Sequence, residues 1–147
     1  MEIKAELLKP YTDEQRIKFV VENNHKLGYV IEETETSLQA LGYTEEEKQA
    51  QEQERIAMLK LTRGDVFRGL LQAKGITRAM LRATIEAMPE ETQEEILIKE
   101  MALIDFDEAL DFYRGNALID TVGLQLGITK EQLDEFFETN DYTKLIG

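Results

Sequence analysis

The chain has 147 residues, 42% of them hydrophobic, with no cysteine, no tryptophan, one histidine and a net charge of −13. That length fits one ordinary domain or two small ones with enough apolar content for a core. The missing cysteine excludes disulfides, thiol nucleophiles and thiolate zinc sites, and no apolar run approaches the roughly 20 residues that span a bilayer.

The first segment, Met1-Glu2-Ile3-Lys4-Ala5-Glu6, alternates in polarity where a signal peptide would be continuously apolar, so no leader is expected. Ile3, Ala5 and Leu7 against Glu2, Lys4 and Glu6 predict a strand, and Tyr29-Val30-Ile31 after Gly28 a second short one. Two strands make no stable sheet, so the expectation is either an extended N-terminal arm or strand pairing with a second copy. Strands are expected only within residues 1–35. Between these strands, Thr12 and Gln15 form a capping box that starts a helix over 13–26. Thr44 and Glu47 repeat the device for a helix over 45–60. Its Glu46–Glu54 stretch has little to bury and marks a polar connector, so the domain boundary is placed at 60/61.

Beyond it, Thr62 and Asp65 open a helix over 63–74 whose Val66, Phe67, Leu70 and Leu71 share one face. Gly75-Ile-Thr-Arg-Ala-Met-Leu81 follows, and 52 residues later (127 minus 75) Gly127-Ile-Thr-Lys-Glu-Gln-Leu133 repeats its plan. In each a glycine ends one helix, an apolar residue packs the corner, a threonine caps the next helix and a leucine faces inward. This is a helix-turn-helix corner, which occurs in DNA-binding proteins and equally in packing units that bind no DNA. The remaining helices are expected over 78–88 (Leu81, Ile85, Met88), 92–114, 117–126 (Leu118, Ile119, Val122, Leu126) and 130–139 (Leu133, Phe136, Phe137). Along 92–114, Leu103, Phe106, Leu110 and Tyr113 form the core stripe, with Leu97, Met101 and Ile104 beside them. The expected fold is therefore mostly α: a helical bundle with two helix-turn-helix-like corners and short β-strands or an extended arm at the N-terminus. Residues 1–60 form an N-terminal helical region with a connector, and 61–147 an all-α domain.

Charge is unevenly placed. Residues 1–59 carry 7 basic and 13 acidic side chains, 60–88 carry 6 and 2, and 89–147 carry 4 and 15. The middle segment holds a basic stripe, Arg63, Arg68, Lys74, Arg78 and Arg82, which is the candidate interaction site. The whole-chain charge argues against general nucleic-acid binding, since phosphate neutralisation supplies most non-specific affinity.

No residue pattern carries catalysis, a cofactor or a metal. His25 stands alone near a helix end, so Glu-x-x-His pairs and the His-Glu-x-x-His site are excluded. There is no phosphate-cradling glycine loop and no nucleophile elbow. Asp105, Asp107, Glu108 and Asp111 cluster, but the sixth and twelfth places of a calcium loop hold Leu110 and Asn116 instead of Gly and Glu. Arg63-Gly64-Asp65 spells an adhesion tripeptide at a helix start, where capping explains it.

Glu6-Leu-Leu-Lys-Pro-Tyr-Thr-Asp-Glu-Gln15, Ile31-Glu-Glu-Thr-Glu-Thr-Ser-Leu-Gln-Ala-Leu-Gly-Tyr-Thr44 and Gln51-Glu-Gln-Glu-Arg-Ile56 resemble the start of a group of small acidic proteins. These are uncharacterised proteins of tailed phages and prophages of Gram-positive bacteria, encoded near tail and lysis genes. Leu61-Thr-Arg-Gly-Asp-Val-Phe67, Lys74-Gly-Ile-Thr77, Ala102-Leu-Ile-Asp-Phe-Asp107 and Tyr113-Arg-Gly-Asn-Ala-Leu-Ile-Asp120 extend the likeness over most of the chain. The resemblance implies a context and no catalytic residues. It implies a non-enzymatic structural or assembly-associated module in the host cytoplasm or on the virion, whose partner is a phage tail or assembly protein. Self-association through the N-terminal segment is a further expectation. The alternatives are a DNA-binding regulator using the corner at 68–82, and an acidic mimic of DNA.

Overall fold

The computed structural model describes residues 1–147 as two compact units, Met1–Glu52 and Gln53–Gly147. The chain is mostly helical, 59% counting its π-helical and 3₁₀ turns, with seven α-helices and a small N-terminal sheet.

In the first unit, β1 (Glu2–Leu8) is followed by α1 (Asp13–Val20), a π-helical turn (Val21–His25), β2 (Val30–Glu33) and β3 (Ser37–Gly42). The sheet is antiparallel with order β1-β3-β2. The expected two strands thus become three, and both pair within the chain. The third lies at 37–42, outside the 1–35 window. Ser-Leu-Gln-Ala-Leu-Gly has weak β propensity, yet Leu38 and Ala40 alternate into the buried face and β2 delivers it through a tight turn. Thr34 closes that turn: its N–H donates to the Ser37 carbonyl at 2.8 Å, and its hydroxyl accepts from the Ser37 N–H at 3.0 Å. Thr12 caps α1 with the full reciprocal box, its hydroxyl accepting from Gln15 N–H at 3.1 Å while Gln15 Oε1 accepts from Thr12 N–H at 2.9 Å.

The division between units falls within α2 (Glu45–Ala57), at 52/53 rather than at 60/61. The reason is backbone pairing at the end of that helix: Gly115 N–H donates to Ala57 O at 3.0 Å and Arg114 N–H to Leu59 O at 2.8 Å.

The second unit contains β4 (Lys60–Thr62), α3 (Arg63–Lys74), α4 (Arg78–Glu86), α5 (Gln93–Glu108), β5 (Asp111–Tyr113), α6 (Ala117–Gln125), α7 (Lys130–Thr139) and a 3₁₀ turn at Tyr142–Leu145. β4 and β5 form a two-stranded antiparallel ladder with Leu61 opposite Phe112. This ladder corrects two expectations: strands are not confined to the N-terminus, and the helix expected over 92–114 stops at Glu108. After an extended Ala109 the side-chain period changes from 3.6 to 2. Phe112 enters the core, whereas Leu110, 83% exposed, and Tyr113 leave it.

Gly75 and Gly127 end their helical segments at φ 68° and 73°, and the hydroxyls of Thr77 and Thr129 cap α4 and α7. Ile76, Leu81, Ile128 and Leu133 are buried. The core joins these residues to Leu61, Val66, Leu70, Phe106, Phe112, Phe136 and Leu145. Phe67 stacks obliquely on Phe106 and Phe112, centroids 5.4 and 6.0 Å away.

Candidate functional site

The five basic residues of the candidate stripe sit in different environments. Arg63, at the first turn of α3, donates from its guanidinium to the Phe106 carbonyl, one of the unpaired carbonyls at the end of α5, and lies 4.8 Å from the Phe67 ring centroid. Arg68 pairs with Asp65 one turn back at 2.8 Å. That guanidinium, and then the Thr62 hydroxyl, hold the Asp65 carboxyl below its ordinary value. Arg82 pairs with Glu86 at 3.0 Å and with Asp107 of α5, and Asp107 chiefly raises its affinity for the proton. Lys74 and Arg78 are exposed and make no ion pair; Lys74 lies in the last turn of α3, where a cation suits the helix dipole. Three of the five arginines and lysines are therefore engaged within the second unit.

A sixth cation escaped the sequence reading. Arg114 is 6% exposed and joins β5 to the last two helices. Its Nε donates to Asp134 Oδ1 at 2.7 Å, Nη1 to Asp120 Oδ1 at 2.9 Å and Nη2 to the Lys130 carbonyl at 3.3 Å. No local motif marks it, because its partners lie 6 and 20 residues away.

The acidic cluster near the end of α5 is dispersed. Asp105 accepts from Asn116 Nδ2 at 3.0 Å, Asp107 faces Arg82, and Asp111 lies 3.9 Å from Lys60. No three His, Asp or Glu side chains are grouped to hold a metal ion. His25 is exposed in the π-helical turn. No helix is long and apolar enough to cross a membrane.

The clearest surface anomaly lies on α5. Ala102 and Phe106 point into the core, while Leu97, Met101 and Ile104 are 60%, 56% and 54% exposed. The spacing of four and then three residues lines these side chains along one face of the helix. The sequence reading had placed them beside the core. α5 also carries Ile96, Ile98 and Leu103, so it is apolar on nearly every side, and a helix of that kind needs cover all round. Beside the stripe runs a shallow groove lined by Met88, Ile98, Met101, Ala102 and Leu118. Glu94, Glu100, Asp107 and Glu108 are the exposed charged residues around it. Lys99, the helix's one basic residue, turns away to Glu90 at 3.3 Å with its side chain 11% exposed.

Protein-family models, curated proteins and solved structures were compared with the chain, and none matches.

Proposed function

We propose that the chain is a non-enzymatic protein-binding module, serving as a structural or assembly-associated component of a tailed phage or prophage. The observation that carries this reading is the exposed Leu97, Met101 and Ile104 stripe within an acidic surface, because contiguous apolar surface on a water-facing helix commonly marks a place for another protein. The motif resemblance supplies the phage context, with a tail or assembly protein as partner and the host cytoplasm or virion as location. The second unit is a helical bundle in this reading. Its corners at Gly75–Thr77 and Gly127–Thr129 are helix-turn-helix-like packing devices that set α4 and α7 against their neighbours.

The test is co-purification of the tagged full chain from cells in which the encoding phage or prophage is induced, with particle yield compared in its presence and absence. A stoichiometric protein partner and a loss of complete particles are expected. A chain that brings down no protein, with particle yield unchanged, would contradict the reading.

One observation favours a second reading. Arg78 is exposed and unpaired at the start of α4, the position of a would-be recognition helix, with Lys74 nearby in sequence. A DNA-binding regulator would use these two. Arg63, Arg68 and Arg82 would have to leave the partners they have, and few phosphates could then be neutralised against the chain's charge. An acidic mimic of DNA would use the carboxylates instead, but the apolar stripe has no role in imitating a phosphate backbone.

A further inference from the structure

We infer that the exposed face of α5 docks a basic, amphipathic helical segment of the partner protein. The inference rests on the protein-binding reading and adds the chemistry of what is bound.

The apolar part of the argument is geometric. Leu97, Met101 and Ile104 form a ridge, and Ile98 continues it into the groove floored by Ala102 and Leu118. From Glu94 to Glu108 the helix runs about 21 Å at 1.5 Å per residue, enough to lie along four turns of another helix. Met88 and Met101 in the groove wall are unbranched and adaptable, which suits a surface that moulds itself to an incoming side chain. A partner helix with apolar residues three and four apart would set one row on the ridge and the next in the groove.

The charge selects the occupant. Around the ridge stand Glu94, Glu100 and Glu108, Asp105 lies at the groove beside Asn116, and the nearby cations are already paired, Arg82 with Asp107 at the edge of this face and Lys99 with Glu90. Residues 89–147 carry 15 acidic against 4 basic side chains, so the local field is negative over the surrounding surface as well. A second copy laid on the same face would bring carboxylates against carboxylates, and like charges across an interface are costly. A phosphate backbone or an anionic membrane would be repelled for the same reason. Lysines and arginines flanking an apolar stripe would meet carboxylates on both sides of the ridge.

The experiment uses the full chain and three labelled helical peptides with one common leucine stripe, their polar faces made of lysine, glutamine or glutamate. Fluorescence anisotropy should show the lysine peptide bound at least about tenfold more tightly than the glutamine peptide, and the glutamate peptide unbound. Leu97→Ser with Ile104→Ser, which keeps every charge, should weaken the lysine peptide at least about tenfold. Glu94→Gln with Glu100→Gln and Glu108→Gln, which keeps the ridge, should do the same. Equal binding of the lysine and glutamine peptides would overturn the inference, as would undiminished binding by the serine variant. So would a dimer of the wild-type chain in sedimentation that the serine variant dissolves, which would make a second copy the occupant. If either variant unfolds, amide exchange on the wild-type chain decides: protection by the lysine peptide over residues 94–108 supports the inference, and protection elsewhere overturns it. Failure of the broader reading looks different. In induced cells the tagged chain then brings down no protein, whereas failure of this inference leaves a partner that the serine variant still retains.

Discussion

Arg114 shows how a single residue organises the end of the chain. Its guanidinium is buried, while the Asp120 and Asp134 carboxylates that face it are 39% and 35% exposed. Removing one side of such a cluster is not equivalent to removing the other. Arg114→Met leaves two carboxylates that can rehydrate, so it should cost about 2 kcal/mol, the worth of one or two charged hydrogen bonds. Asp120→Ala with Asp134→Ala strands a buried cation and should cost more, about 3 kcal/mol or above. Urea melts of both variants check the order, and the reverse order would refute the clasp. Asp65 makes a complementary case at the surface. Its folded carboxyl titrates below the ordinary value because Arg68 and Thr62 favour the charged form. The stability it confers is therefore present above the ordinary carboxylate value and lost as pH falls through the lowered one. Asp65→Asn should flatten the acid limb of the stability profile and leave its neutral plateau shape unaltered. Arg114 was illegible in sequence because long-range ion pairs leave no local periodicity. Asp65 was legible because a cap and an i, i+3 pair are written within four residues.

At the scale of elements, the same contrast separates what the sequence revealed from what it hid. α3 and α7 begin and end where threonine caps and helix-ending positions predict, at Arg63–Lys74 and Lys130–Thr139. Those boundaries depend on neighbours in the chain. β3 and the β4–β5 ladder depend on partners elsewhere, and three-residue strands such as Lys60–Thr62 are too short to show alternation. The misjudged face of α5 has a further cause: a helix apolar on several sides offers more than one stripe, and periodicity does not say which stripe the core takes. Two glycines test the packing of these elements in opposite ways. Gly127 stands at φ 73° with open space where a Cβ would be, so Gly127→Val should cost roughly 1–2 kcal/mol from backbone strain alone. Gly69 lies within α3, and a Cβ there would stand 2.4 Å from the Phe136 ring. Gly69→Ala should therefore destabilise by about 1–3 kcal/mol through overpacking, despite alanine's higher helix propensity. Thermal melts in which Gly69→Ala is neutral or stabilising would show that the α3–α7 contact is looser than described.

The whole molecule carries its charge in a pattern that pairs the basic segment with the acid around it. Arg63, Arg68 and Arg82 meet a carbonyl, Asp65 and Asp107 within the second unit, leaving Lys74 and Arg78 as the stripe's unpaired cations. Duplex DNA should accordingly show no retardation by micromolar protein at physiological salt. A shift that weakens steeply with salt and vanishes in Arg78→Ala with Arg82→Ala would favour the regulator instead. The N-terminal strand, expected to seek a second copy, is paired to β3 along one edge, with a register irregularity after Ile3 in that pairing. The most consequential exposed surface is thus the acidic, apolar-ridged face of α5, and its role can be read directly inside the cell. A photo-crosslinking amino acid placed at Met101, with the exposed Gln72 of α3 as control, would be irradiated during phage or prophage induction. The account predicts one dominant adduct from position 101, absent from position 72, whose cross-linked peptide is basic and amphipathic. Adducts only with a second copy of the chain, or no adduct beyond the control, would contradict it.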